Sequence, residues 1–315
     1  MAFSPRDFIH PEDEAALEQL RAVPLFSEVL QAFLKIGPEQ LLHGVNMAQK
    51  VRLGPDQLPE LYAYLPPACR ALGIAEPEFY LEMNPAANAY TFGDQHPAVT
   101  VTSGLVESLT PHEVETVVAH ECGHIVLQHT LYHTMAAFLV LLGAQAFGPL
   151  AALAGPVRLA LLYWMRRSEL SADRAAAAVM GDVRPVVDSF LRLAGGPKSI
   201  TGEIDVERYA RQAEEYDKLM ESQWNQLLQG LASMSATHPF LAVRTREILK
   251  WGKSDQFRRI LAGTDADPGP GPDGGAYRVC PSCGEIVLDS WRFCRQCGAA
   301  LTGAAAGRRD GARDF

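Results

Sequence analysis

The sequence predicts an α+β chain, mostly helical, with a small antiparallel β-sheet between two helical regions and a short metal-stapled module near the C-terminus. Three observations predict it. Strand-like alternation is confined to Glu78–Glu82, Tyr90–Phe92 and Ala98–Thr102. Helical patterns fill most of the remainder. Four of the six cysteines lie close together near the C-terminus as two CxxC pairs, which argues for metal rather than disulfides.

At 315 residues the chain can form two domains, or one large domain with an appended module. Hydrophobic residues at 48% and charged residues at 21% exclude global disorder and fibrous compositions. The 28 Lys and Arg against 37 Asp and Glu give a net charge of -9, the wrong sign for gripping phosphate backbones, so nucleic acid is excluded as the main partner.

Residues 1–65 read as an N-terminal region of amphipathic helices, broken at Gly37-Pro38 and Gly54-Pro55. Its start carries Arg6, Asp7, Glu12, Asp13, Glu14 and Glu18, and so lacks the basic and apolar regions of a secretory signal. Clustered thiols survive best where they stay reduced, and both observations favour the cytoplasm. A helix ends between Cys69 and Gly73, the strands follow around an Asn84-Pro85 turn, and after Ser103 the signals are helical. Thr134–Val157 contains no charged residue, and apolar character resumes from Leu159 to Met165. Gly143, Gly148, Pro149, Gly155 and Pro156 interrupt it, so residues 134–165 read as a hydrophobic helical hairpin inside a domain spanning 66–262. Residues 263–277, rich in Pro and Gly, form a linker to a module at 278–302, and 303–315 reads as a disordered tail.

The strongest chemical signal is His120-Glu121-Cys122-Gly123-His124, an HExxH sequence in a helix whose start is marked by Thr110, Pro111 and Glu113 as a capping box. His120 and His124 are only about 40° apart around such a helix, so both imidazoles can reach one ion. Glu121 sits beside them, suited to take a proton from a metal-bound water as it attacks a carbonyl. A catalytic zinc needs a third protein ligand. Position 130 is Thr130, which excludes the HExxHxxGxxH arrangement. On a continued helix His129 and His133 lie about 180° and 220° from His120, as surface or packing histidines. The better candidate is Glu169, spaced i, i+4 from Asp173, so that one carboxylate can bind zinc while the other orients a ligand histidine.

His-Glu-Cys-Gly-His-Ile, followed after a hydrophobic hairpin by Glu-Leu-Ser-Ala-Asp-Arg-Ala, resembles the HtpX-like and CAAX prenyl protease group of gluzincin metallopeptidases. Asn88–Gly93, Thr102–Leu105, and Thr237-His238-Pro239 with Arg244 are similar to further motifs of that group, so the resemblance covers roughly Pro66 to Leu249. It implies a gluzincin metallopeptidase domain with His120, His124 and Glu169 as zinc ligands, Glu121 as general base, and Asp173 behind the ligands. It also implies that His238 and Arg244 approach the site as catalytic residues. The chain departs from the group before the HExxH helix, where nothing from Met1 to Leu65 is apolar enough to span a membrane. One crossing by 134–165 would separate His124 from Glu169, and two crossings need about forty apolar residues where 32 positions exist. The hairpin is therefore expected to pack on the catalytic domain, shield a homo-oligomer interface, or make peripheral membrane contact through one leaflet.

Proteases commonly bind a peptide as an added strand. Val99, Thr100, Val101 and Thr102, just before the catalytic helix, are the expected edge for a polypeptide substrate. In the C-terminal module Cys280, Cys283, Cys294 and Cys297 supply four thiolates, a closed structural zinc site that resembles a zinc ribbon. Cys69 and Cys122 read as buried thiols. The expected cofactors are two Zn2+ ions, one catalytic and one structural. The expected function is zinc-dependent endoproteolysis of misfolded or damaged proteins; the competing readings are a non-catalytic scaffold whose ribbon recruits partners and a processing protease with one substrate.

Overall fold

The computed structural model describes residues 3–93, 96–141, 151–222, 240–263, 277–279, 281 and 286–288. His238 and the four ribbon cysteines lie outside the described residues, as do most of the Pro/Gly stretch and the C-terminal tail. The chain divides into two units, Met1–Pro268 and Gly269–Phe315.

The larger unit begins with α1 (Pro11–Arg21), α2 (Phe26–Ile36) and α3 (Pro38–Gln49). Pro11 opens α1 behind His10, whose Nδ1 accepts from the Glu12 amide at 3.1 Å. Gly37, at φ 68°, ends α2 in the left-handed region that glycine adopts without strain, where the sequence places its first break. Two short helices, α4 (Pro59–Tyr62) and α5 (Leu65–Leu72), precede the main strands.

Four strands, β1 (Val51–Arg52), β2 (Glu78–Glu82), β3 (Ala89–Phe92) and β4 (Ala98–Thr102), form one sheet in the order β1-β2-β4-β3. β2, β3 and β4 lie where alternation places them, β1 is a strand that alternation did not mark, and the sheet is mixed rather than antiparallel. β2 and β4 run parallel in register from Glu78 opposite Ala98 to Glu82 opposite Thr102, while β3 runs antiparallel to β4. Alternation reports which face of a strand is buried and says nothing of order or direction. β4 is consequently an inner strand, buried along all five residues and paired on both sides. This corrects the expectation for Val99–Thr102: their backbone groups already serve the sheet, and the edge beside them is β3.

Helices α6 (Ser103–Ser108), α7 (Pro111–Val126), α8 (Thr130–Leu141), α9 (Ala151–Met180) and α10 (Arg184–Gly195) follow, then α11 (Lys198–Thr201), α12 (Val206–Leu219), α13 (Leu241–Gly252) and α14 (Asp255–Ala262). They enclose two apolar clusters. One joins the sheet to α5, α7, the second half of α9 and α10 through residues such as Phe79, Val118, Ala176 and Phe190. The other joins α1 and α2 to α8 and the first half of α9 through Leu20, Phe26, Phe33, Tyr132, Met135 and Trp164. Each large side chain fully buried there contributes about 1.5–3 kcal/mol. The hydrophobic segment 134–165 thus owes much of its composition to a core: Met135, Phe138 and Trp164 are 0%, 3% and 0% exposed. Among the described residues no helix is long and apolar enough to cross a membrane.

Where α7 crosses α9 the backbones approach closely. A Cβ built at Gly123 would stand 3.0 Å from the Ala175 Cβ and 3.2 Å from the Ala172 carbonyl oxygen. In the second unit, β5 (Tyr277–Val279) pairs antiparallel with β6 (Ile286–Leu288).

Candidate metal centre

The expected capping box fixes α7. The Glu113 side chain accepts from the Thr110 amide at 2.7 Å, and the Thr110 side chain accepts from the Glu113 amide at 3.4 Å. Glu113 also pairs with Arg192 of α10 at 3.0 Å, tying the start of α7 to its neighbour. Over its last two turns α7 presents His120 and His124 towards α9, which carries Glu169.

The three side chains meet. His120 Nε2 and His124 Nε2 lie 3.1 Å apart, His120 Nε2 lies 3.5 Å from Glu169 Oε2, and His124 Nε2 lies 3.3 Å from Glu169 Oε1. Donors about 2.0–2.1 Å from a tetrahedral ion stand about 3.3 Å from one another, so this trio fits zinc in spacing as well as in its two imidazoles and one carboxylate. All three are buried. Glu121, 1% exposed, accepts a 2.6 Å hydrogen bond at Oε2 from the Thr91 hydroxyl. Thr91 belongs to β3 and to the Asn88–Gly93 stretch; that stretch was the available signal for it, although its role is legible only once β3 lies over α7.

Behind the trio stand Asp173 and Arg244. Asp173 Oδ1 is 3.0 Å from His120 Nδ1, the arrangement expected of a carboxylate that orients a ligand histidine. Arg244 donates from Nε and Nη2 to the two Asp173 oxygens at 2.8 and 2.6 Å, and its Nη1 forms an ion pair with Glu169 Oε2 at 2.8 Å. Burial disfavours the Asp173 charge, yet Arg244 and His120 outweigh it and hold the carboxyl below the usual range. For His120 burial opposes protonation, but Asp173 and Glu169 outweigh it and raise the pKa to about 9; for His124 burial prevails over Glu169 and lowers it to about 4. Arg244 is thereby committed to the carboxylates. A small apolar cavity lies beside His120 and Glu121, lined by Leu105, Val117, Val186, Phe190 and Leu193.

The helical projection of His129 and His133 away from the ion does not hold, because α7 stops at Val126. Gln128 adopts φ 57°, and the Gln128 and His129 amides donate to the carbonyls of Ile125 and His124 at 2.9 Å each, a Schellman turn. A left-handed glutamine costs roughly 1–2 kcal/mol where glycine would cost little. The turn brings the buried His129 back, with its Nδ1 3.0 Å from His124 Nδ1. His133 packs nearby, its Nε2 3.0 Å from Ser168 Oγ. Both are buried against His124, and neither faces away.

On the sheet side β3 has β4 as its one strand neighbour among the described residues. The Thr102 amide donates to the Asn88 carbonyl. Ladder alternation then turns the Thr91 backbone groups away from β4, towards the outer edge of the sheet beside Glu121.

Residues 57–252 match the model of peptidase family M48, and residues 279–301 that of a zinc-ribbon domain. Over 260 residues, 81% of this chain and 75% of the relative, the sequence is 35% identical to the plastoglobule-localized metallopeptidase 48, chloroplastic, of Arabidopsis thaliana. Over 263 residues, 72% of this chain and 83% of the relative, it is 29% identical to a protease HtpX homolog of Acaryochloris marina (strain MBIC 11017). No solved structure matches the chain.

Proposed function

Because the chain belongs to peptidase family M48 and is a zinc metalloprotease carrying a zinc ribbon, we propose that His120, His124 and Glu169 hold its catalytic zinc and that Glu121 is the general base. The mutual spacing of the three donor atoms, 3.1 to 3.5 Å, carries this reading. When bound, zinc supplies a Lewis acid that polarises a peptide carbonyl and lowers the pKa of water in its open position towards about 7. Glu121, steadied by Thr91, takes a proton from the attacking water and returns it to the leaving amine. Asp173 orients His120, and Arg244 neutralises the two carboxylates behind the site. Arg244 therefore acts in positioning, in place of the direct catalytic part that the resemblance implies.

The substrate polypeptide adds as a strand along the outer side of β3 at Thr91, and one of its side chains enters the apolar cavity beside Glu121. Recognition through backbone hydrogen bonds demands extended chain more than a particular sequence. That supports misfolded or damaged proteins as the substrate class. Cys280, Cys283, Cys294 and Cys297 hold a second, structural zinc, whose ribbon recruits substrate or partner.

Elemental analysis beside casein cleavage tests the reading. Wild type should carry two zincs per chain and cleave; Glu121→Gln should keep both zincs and lose activity by roughly 10²–10⁴-fold. Retained cleavage in Glu121→Gln, or a single zinc that disappears with the cysteines, would overturn it.

A further inference from the structure

The two ligand histidines are braced from different places. The brace on His124 involves residues that the catalytic reading has not used. His124 Nδ1 faces His129 Nδ1 at 3.0 Å; beyond it, His129 Nε2 stands 3.2 Å from Asp13 Oδ2. Asp13 lies in α1, outside the segment that matches the family, yet it is 3% exposed. Its carboxylate is held from two further sides: Trp164 Nε1 donates to Oδ1 at 2.8 Å, and Ser171 Oγ donates to Oδ2 at 2.6 Å. The indole of Trp164 stands edge-on to the His129 ring, with centroids 5.4 Å apart, and bounds the ring on one side.

The protons on this chain of groups follow from the ligand role of His124, and in that respect the inference rests on the proposed function. A neutral imidazole that gives Nε2 to a metal carries its hydrogen on Nδ1. His124 Nδ1–H therefore donates, and His129 Nδ1 accepts. A neutral His129 must then carry its own hydrogen on Nε2, which is the nitrogen that faces the Asp13 carboxylate. The sequence of donors and acceptors closes without an orphaned atom, and the left-handed Gln128 is the backbone feature that puts His129 in place.

We infer that Asp13 and His129 form a positioning relay that fixes the tautomer and ring orientation of His124, so that helix α1, from outside the family segment, is a working part of the metal centre. Outer groups of this kind are typically worth 10- to 100-fold in metal affinity.

Zinc affinity at the HExxH site, measured on the full-length protein by competition with a chelator, tests the relay. His124→Ala, which should lack that site altogether, supplies the ribbon background, and thermal unfolding is followed in parallel. His129→Leu, which keeps most of the packing volume, should weaken zinc binding 10- to 100-fold. His129→Asn, whose side-chain oxygen can still accept from His124 Nδ1, should recover much of the loss. Asp13→Asn should weaken zinc in the wild-type background and have no further effect in the His129→Leu background, a coupling that mere loss of core stability would not produce. Wild-type affinity in His129→Leu, or additive losses in the double variant, would overturn the relay. So would an extra zinc equivalent in the wild type that His129→Leu abolishes, since His124, His129 and His133 would then be a second metal site. If His124→Ala itself keeps the full zinc complement, the fault lies with the ligand assignment and not with the relay.

Discussion

His120 and His124 are neighbours on one helical face, yet their outer nitrogens are braced in opposite ways. His120 meets Asp173 directly, and Asp173 is locked by two hydrogen bonds from Arg244. His124 meets another imidazole first, and a carboxylate from α1 only beyond it. The first brace lies wholly within residues 57–252, matched by the family; the second leaves that segment. One ligand is thus supported from within the matched segment, and the other by a helix that precedes it in the chain.

The comparison can be broken most severely at Asp173. Asp173→Ala strips His120 of its brace and leaves Arg244 buried with half of its negative partners. It should cost about 3–5 kcal/mol of stability, the usual penalty for breaking a buried ion pair from one side, with zinc lost at the site. Urea unfolding and zinc analysis would show it; a milder effect than that of His129→Leu would reverse the ranking of the two braces. Thr91→Val comes next. It removes the hydrogen bond to Glu121 while sparing both ligand braces, and should lower kcat by roughly 10- to 100-fold, the size of a hydrogen bond to a charged group, at unchanged zinc content. Zinc loss in this variant would mean that base and ligands are not separately supported.

The smallest effect concerns acid. His10 caps α1, and burial together with the charge of Arg174 lowers its pKa from 6.5 to about 4. The folded chain therefore binds fewer protons than the unfolded chain between those values. The contribution of His10 to stability is complete above about pH 6.5 and is lost as pH falls towards 4. His10→Asn, which caps without titrating, should narrow the difference in Tm between pH 7 and pH 5. An unchanged difference would remove α1 from the acid response.

Much of the peptidase domain was legible because its signals are local. The Thr110–Glu113 box starts α7 where proposed, the i, i+4 spacings bring His120 to His124 and place Glu169 beside Asp173, and alternation finds β2, β3 and β4. What escaped depends on distant packing or on a turn without its usual residue. No glycine marks the end of α7, so a helix continued through His129 was the natural reading, and Gln128 in a left-handed conformation reversed its consequence. Strand order put β4 inside the sheet and left β3 outermost among the described strands on that side, which no spacing in Val99–Thr102 could reveal. Asp13 looked like one more acid in an acidic amphipathic helix; its burial against Trp164 and Ser171 belongs to the tertiary fold.

The close crossing at Gly123 has a consequence for how this centre can change over time. The histidines ride on one helix and Glu169 on another, so the bite of the ligand set equals the thickness of the seam between them. Ala172 and Ala175 share with Gly123 the task of keeping that seam thin. Growth by one or two methyl groups there would spread the donors as surely as moving a histidine. The small residues of the seam therefore act as a gauge, and drift at these positions would be felt first as altered metal preference rather than as a loss of fold.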